Sequence, residues 1–264
     1  MKRLLIATLV IASSVPCVAQ TISGLCMISE NRRSDMSSTA QVMLSESNCD
    51  KDKNSSSCGC TEMTNSSLEW RRWAGVSLQM LNAEGSTLSA HLTGDAGDLS
   101  CDGVVHDGVL SGRFRFNASP AFTKEMAAIG FDDITARKQL SFLMLDVTPA
   151  WTKDMKSLGV TDLSTNKLMG LRALHVDADY IHAIAAAGYP ELRANKLTEM
   201  KAVGVTPEKA REAKAMGFQP TEQELIQMSI FKIDRPFVER MRARGLNDLT
   251  LAKLIKIKIF KLED

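Results

Sequence analysis

Glycine recurs at a nearly fixed interval through the C-terminal half of this chain. Gly130, Gly159, Gly188, Gly217 and Gly245 lie 28 or 29 residues apart. Each is followed by an apolar residue (Phe131, Val160, Tyr189, Phe218 or Leu246), and counting back eight positions reaches Phe122, Trp151, Tyr180, Lys209 and Phe237, where the units open. A period of this length is the signature of stacked supersecondary units, each too small to bury its own apolar face. It restricts the region to an array in which neighbours supply the core.

Each unit reads as two short helices. In the second unit Trp151, Met155 and Leu158 stand at i, i+4 and i+7, one face of a helix. Gly159 sits just past it, where a left-handed residue ends a helix and glycine alone carries no Cβ strain. Ser164 is placed to cap a second helix bearing Leu168, Leu171 and Leu174; Leu197, Met200 and Val203, then Leu225, Met228 and Phe231, repeat the pattern. At the junctions Val147-Thr148-Pro149 and Val205-Thr206-Pro207 place a buried valine, a capping threonine and proline at the first helical position. Asp177 and Asp234 take the capping place elsewhere. Helices of about two turns are unstable alone, so the units must stack.

The N-terminal half has a different grammar. Lys2 and Arg3 followed by the apolar run Leu4 to Val15, then Cys17-Val18-Ala19, read as a secretory signal (residues 1–19) cleaved before Gln20. The run is too short to span a bilayer. Lipidation at Cys17 is the rival reading, which Pro16 disfavours. Residues 20–67 are rich in Ser, Asn and Cys and show neither helical nor strand period, so a loop-rich segment ordered by cysteine bridges is expected. Residues 68–118 alternate in short runs broken by glycine turns: Val76–Met80, Thr87–Leu92, Leu99–Val105 and Val109–Phe116. These predict a small four-stranded antiparallel β-domain covered by Trp70 and Trp73. With the five helix pairs of residues 119–264, the expected class is α+β, and the array is expected to dock on the sheet.

Two features together resemble an uncharacterised group of bacterial exported proteins. One is the strand-rich stretch from Gly94-Asp95-Ala96-Gly97 through Cys101, Gly103, Asp107-Gly108 and Gly112 to Phe114-Arg115-Phe116. The other is the repeated unit of aromatic, Met, Gly-aromatic, Leu-Ser/Thr and Val-Thr-Pro. The pair is also similar to the extracytoplasmic repeats of some membrane metallopeptidases of the β-lactam-sensor (BlaR) kind. The resemblance covers residues 70–264 and stops short of the peptidase, since the chain has no His-Glu-x-x-His. It implies a detached sensor or interaction module.

Lys and Arg total 32 against 31 Asp and Glu, so no overall field points to nucleic acid or an anionic membrane. Export would make disulfides the default for Cys26, Cys49, Cys58, Cys60 and Cys101, and an odd count leaves one thiol over. Cys49, Cys58 and Cys60 are the weak candidates for a soft metal, although their spacing matches no strong zinc template. His91, His106, His175 and His182 read as surface residues. Met126, Met155, Met200, Met228 and Met241 read as core rather than copper ligands. Gly94 to Asp98 reads as a hairpin turn in preference to a Ca²⁺ loop.

In the last unit Lys253, Lys256, Lys258 and Lys261 interleave with apolar residues, and helical spacing leaves Ile255 and Ile259 without a core. That end is expected to pack back on the sheet or to contact a partner. The functional expectation is an exported, non-enzymatic interaction or sensing module with a protein partner and no cofactor. Its contacts would come from the array groove, unit-opening aromatics that stay exposed, and Arg240, Arg244, Lys256, Ile255 and Ile259. A cysteine-based metal-binding or redox protein is the alternative. A hydrolase is a third reading, which a pocket gathering Ser, His and Asp would favour.

Overall fold

A computed structural model of the protein describes residues 20–31, 39–48, 59–191 and 193–262. The expected signal segment of residues 1–19, which includes Cys17, lies outside them, as do Cys49 and Cys58. The class is α+β: an antiparallel sheet followed by an array of helices.

The sheet is larger than the sequence suggests. It comprises β1 (Thr21–Glu30), β2 (Thr39–Asn48), β3 (Gly59–Glu69), β4 (Thr87–Gly94), β5 (Gly97–His106) and β6 (Val109–Ala118), in the order β3-β2-β1-β6-β5-β4. Two three-stranded meanders therefore join through the β1–β6 pair, in which Cys26 faces Gly112. This corrects the loop-rich reading of residues 20–67, which supply half of the strands. The physical reason lies in their faces. On β1 the inward Cys26 and Ile28 are buried, but the outward Leu25 and Met27 are apolar too, 51% and 45% exposed, so no alternation shows. Val76–Met80, expected as a strand, is instead a loop leading into a 3-10 turn at Met80–Asn82, with Val76 and Leu81 buried in the core.

Cys26 and Cys101 form a disulfide with 6.1 Å between their Cα atoms, although β6 lies between their strands. Across two strand spacings a flat sheet would separate them by roughly 9.5 Å. The sheet must therefore curl tightly around β6, and Gly112 permits it: a Cβ there would sit 2.0 Å from the Asp102 carbonyl oxygen. At the β5–β6 turn Asp107 and Gly108 both have positive φ, 49° and 75°, the conformation a two-residue hairpin turn requires.

The helices pair as α1 (Pro120–Ala128) with α2 (Ala136–Leu145), α3 (Pro149–Ser157) with α4 (Thr165–Ala173), and α5 (Ala178–Ala186) with α6 (Ala194–Ala202). Two more pairs follow, α7 (Pro207–Ala215) with α8 (Glu222–Ile230) and α9 (Arg235–Ala243) with α10 (Leu251–Ile259). Thr148, Ser164, Asp177, Thr206 and Asp234 each accept a hydrogen bond from the backbone N–H three residues on, as N-caps do. The first helix of every unit ends at its glycine, with φ between 82° at Gly159 and 96° at Gly130. The second helix also ends on a left-handed residue in every unit: Asp146, His175, Gly204, Lys232 and Lys261, only one of them glycine.

Unit one is the joint with the sheet. Phe122, Met126, Phe142 and Leu143 share one apolar cluster with Phe114, Phe116 and Leu99 of the strands. Arg72 donates to the carbonyls of Leu143 (2.7 Å) and Met144 (2.8 Å), at the C-terminal end of α2. Arg137 grips Glu46 of β2, with Nη2 2.7 Å from a carboxylate oxygen. The remaining units build a second cluster holding Met155, Met200, Met228 and Met241, all buried. Trp73 is buried in the first cluster and Trp70 packs against it.

Candidate functional site

Successive units are tied by a repeated side-chain contact. Lys156, Lys214 and Arg242, each three residues before its glycine, donate to the carbonyls of Ile129 (2.8 Å), Ala187 (2.7 Å) and Met216 (3.1 Å) of the preceding unit. Along the second helices Arg172 reaches the carbonyl of Leu145 (3.2 Å) and Ser229 that of Val203 (2.5 Å). Cations at helix C-termini are favoured by the dipole as well as by the bond itself, so this ladder fixes how units stack.

Against that regularity one column of the repeat is broken. The unit-opening residue is aromatic in four units, and Phe122, Tyr180 and Phe237 are buried, while Trp151 is half-buried beneath the Arg172 guanidinium. In unit one the Phe122 ring packs edge-on against Phe142, with 5.7 Å between centroids. In unit three the Tyr180 hydroxyl donates to the Val205 carbonyl at 3.0 Å. In unit four the column holds Lys209, which is exposed. Its ammonium turns aside to the carbonyl of Gly204 at 2.7 Å.

The space left behind is a groove of about 230 Å³ with Met216, Leu225, Met228 and Ile233 in its floor, and Lys209, Glu212 and Lys232 around its mouth. Met228 and Ile233 are the unit-four counterparts of Phe142 and Val147 of unit one, the first of which the unit-one ring touches. The groove is thus a vacant ring position. Sequence alignment of the units puts Lys209 in the aromatic column; the missing signal was its consequence for packing.

The other expected contact residues divide. Ile255 is 9% exposed and packs in the second cluster, because Leu251, Leu254 and Ile255 stand at i, i+3 and i+4 on one face of α10. Ile259 is 50% exposed, and Arg240, Arg244 and Lys256 lie on the surface. Of the unit-opening aromatics, Phe122, Tyr180 and Phe237 belong to the core, and Trp151 alone keeps partial exposure. The fifth unit packs on α8 within the second cluster, which contains no sheet residue, so it does not fold back on the sheet.

Of the cysteines, Cys26 and Cys101 are joined, and Cys60 falls on β3 opposite Ser47. His106, His182 and His91 are exposed, and His175 is the exposed left-handed stop of α4. Ser89, His91 and Asp102 do meet, on the outer face of the sheet. Ser89 Oγ lies 2.9 Å from His91 Nε2 and donates to Asp102. The order is wrong for acyl transfer. The serine proton goes to the carboxylate, not to the imidazole, and no carboxylate orients the ring. All three residues are exposed, and the shallow pocket that Asp102 borders with Ser23, Ser100 and Arg113 is lined by neither Ser89 nor His91. Gly94 to Gly97 is a two-residue hairpin turn, with Ala96 accepting from Ser119 N at 3.1 Å.

No family model matches the chain, and neither the curated proteins nor the solved structures contain a significant match. No helix among the described residues is long and apolar enough to cross a membrane.

Proposed function

We propose that the protein is an exported interaction or sensing module, non-enzymatic, that uses the surface of its helical array. One observation carries the reading: the groove where Lys209 replaces the unit-opening aromatic. A rigid scaffold with an apolar slot open to solvent is suited to take an aromatic or branched side chain from an exported protein or peptide. The likeness to β-lactam-sensor repeats belongs to this proposal. So does export, which a disulfide buried in the sheet favours.

Lys209→Phe tests the slot. The added ring should occupy the groove, raise the melting temperature, and abolish binding of the partner recovered by crosslinking in the exported compartment. A partner that binds Lys209→Phe as tightly as the parent rules the slot out.

A second reading has its own observation. With Cys26 bonded to Cys101, any further bridge in the mature chain must form among Cys49, Cys58 and Cys60. Those three are the candidates of a cysteine-based metal-binding or redox protein. Thiol titration of the denatured, exported protein decides: one free thiol supports a second structural bridge, and three free thiols that take up Cu(I) or zinc support the alternative.

A further inference from the structure

The slot left by Lys209 lacks a ring but keeps the charge that covers a ring elsewhere in the array. Three residues before the second stop, units two, three and five carry Arg172, Lys201 and Lys258. Their cationic groups stand 5.4, 4.4 and 4.1 Å from the ring centroids of Trp151, Tyr180 and Phe237. Unit four has Ser229 at that position. The Ser229 hydroxyl lies 3.4 Å from Lys209 Nζ, so the ammonium of the opening residue reaches the place that the covering cation holds in neighbouring units. The cation thus comes from α7 instead of α8, and the ring beneath it is missing. An ammonium over an aromatic face gains from the ring quadrupole, a gain that a branched aliphatic guest forgoes.

Unit three shows what such a position holds when it is filled. There the Tyr180 ring lies under Lys201, and its hydroxyl donates to the Val205 carbonyl at 3.0 Å. The residue matching Val205 in unit four is Ile233, which lines the slot. The Ile233 carbonyl receives no hydrogen bond among the described residues. Met216, Leu225 and Met228 offer the ring an apolar floor. At about 230 Å³ the space falls below the roughly 300 Å³ at which small-molecule pockets begin, and it suits a single side chain.

Charge at the mouth selects the neighbours of that side chain. Glu212 lies 3.4 Å from Arg235 Nε, and Asp234 Oδ1 accepts from Phe237 N at 2.9 Å, so both carboxylates are engaged. Lys209 meets only the neutral oxygens of Gly204 and Ser229. The exposed Lys232 ammonium makes no ion pair among the described residues. The uncompensated charge is therefore positive. A second copy of this chain cannot supply a tyrosine, because Tyr180 and Tyr189 are its two, both buried and donating to Val205 and Pro220 of their own fold. We propose that the slot receives a tyrosine flanked by acidic residues in another protein, with the ring beneath the Lys209 ammonium and the phenol donating to the Ile233 carbonyl. The inference rests on the reading of this slot as the contact surface and names its guest.

The experiment labels the methionine methyls of the full chain with ¹³C and titrates it with short blocked peptides that differ at their centre. Tyrosine between aspartates is expected to move the Met216 and Met228 methyls upfield, as a ring packed over them does, and to leave Met155 in place. Phenylalanine at the centre should bind roughly threefold more weakly for want of the hydroxyl, and leucine about tenfold more weakly for want of the ring. Lys209→Met, which keeps the stem and removes the ammonium, should erase most of the advantage of tyrosine over leucine. Lys232→Gln should weaken the aspartate-flanked peptide and leave an alanine-flanked one unchanged. Leucine or phenylalanine binding as tightly as tyrosine overturns the proposal, as does a preference for lysine flanks; either result leaves the slot itself as the contact surface. If no peptide moves Met216 or Met228, the proposal is overturned, and the slot reading falls with it only where Lys209→Phe also retains the crosslinked partner.

Discussion

Reducing the Cys26–Cys101 bond should cost the protein much of its stability, and the cost should fall on the sheet. The two residues are 75 positions apart. Cross-linking over that separation removes loop-closure entropy from the unfolded chain worth about 4.5 kcal/mol at 25 °C. The ledger stays simple because the reduced thiols occupy almost the volume of the bridge, so no cavity is added. Both residues are buried, at 1% and 0% exposure, so dithiothreitol should reach the sulfurs only through opening of the sheet. The assay is urea unfolding of oxidised and reduced protein. It is followed by tryptophan fluorescence, since Trp73 lies in the sheet cluster and Trp70 packs on it. At an m-value of about 2–3 kcal/mol/M the midpoint should fall by roughly 2 M on reduction. Helical ellipticity, dominated by the second cluster, should shift less. A tryptophan midpoint that moves by less than about 0.5 M would falsify the loop-entropy argument. Rapid reduction without denaturant would show that the sulfurs are not held inside a closed sheet.

Burial pushes the phenols of Tyr180 and Tyr189 up to about 12 from 10.0, with Glu224 and Glu222 adding to the rise at Tyr189. A raised pKa means that the neutral form is favoured in the folded state. Their contribution to stability is therefore complete below pH 10 and lost as pH climbs through 12, and tyrosinate absorbance should appear together with loss of helix. Absorbance that rises near pH 10 in a still-folded protein contradicts this. Tyr180→Phe should cost about 1–2 kcal/mol by leaving the Val205 carbonyl without its donor, measured by urea midpoint; a neutral change sinks it. Lys232 holds a φ of 53°, so Lys232→Gly should gain about 1 kcal/mol by relieving the left-handed strain. Gly217→Ala, where a Cβ would meet nothing within 4 Å, should lose a similar amount from the backbone alone; equal melting temperatures would refute both. Arg72→Met removes both donors from the end of α2 and should cost about 2–3 kcal/mol. Faster hydrogen exchange should then be concentrated in unit one, and an increase spread evenly over the array would count against that joint.

The array was readable because its rules are local. A glycine at every first stop, Thr-Pro at the restarts, and a capping Ser, Thr or Asp each settle a boundary without reference to the rest of the molecule. The second stops were harder to see, because Asp146, His175, Lys232 and Lys261 adopt the left-handed conformation that glycine would adopt more cheaply. A local bond accompanies each of them, the N–H of the next residue (Val147, Val176, Ile233 or Leu262) returning to a carbonyl of the helix just ended, and no side-chain type marks that bond in the sequence. The first three strands were hidden for the opposite reason. Their partners are distant, as with Thr21 and Asn117 across the β1–β6 pair, and Leu25 and Met27 on the outer face erase the alternation on which strand reading depends.

The Lys209 groove is a departure from the repeat rather than a feature of it. Lys209 is visible as a substitution in an aromatic column, yet the sequence cannot say whether a neighbour fills the gap; the groove shows that none does. Leu246, Ile257 and Leu262 conform to the repeat in every respect, and only their exposure sets them apart. A repeat consensus states what a position buries when a neighbour is present. The Lys209 groove is therefore the surface of the array on which a partner can be sought.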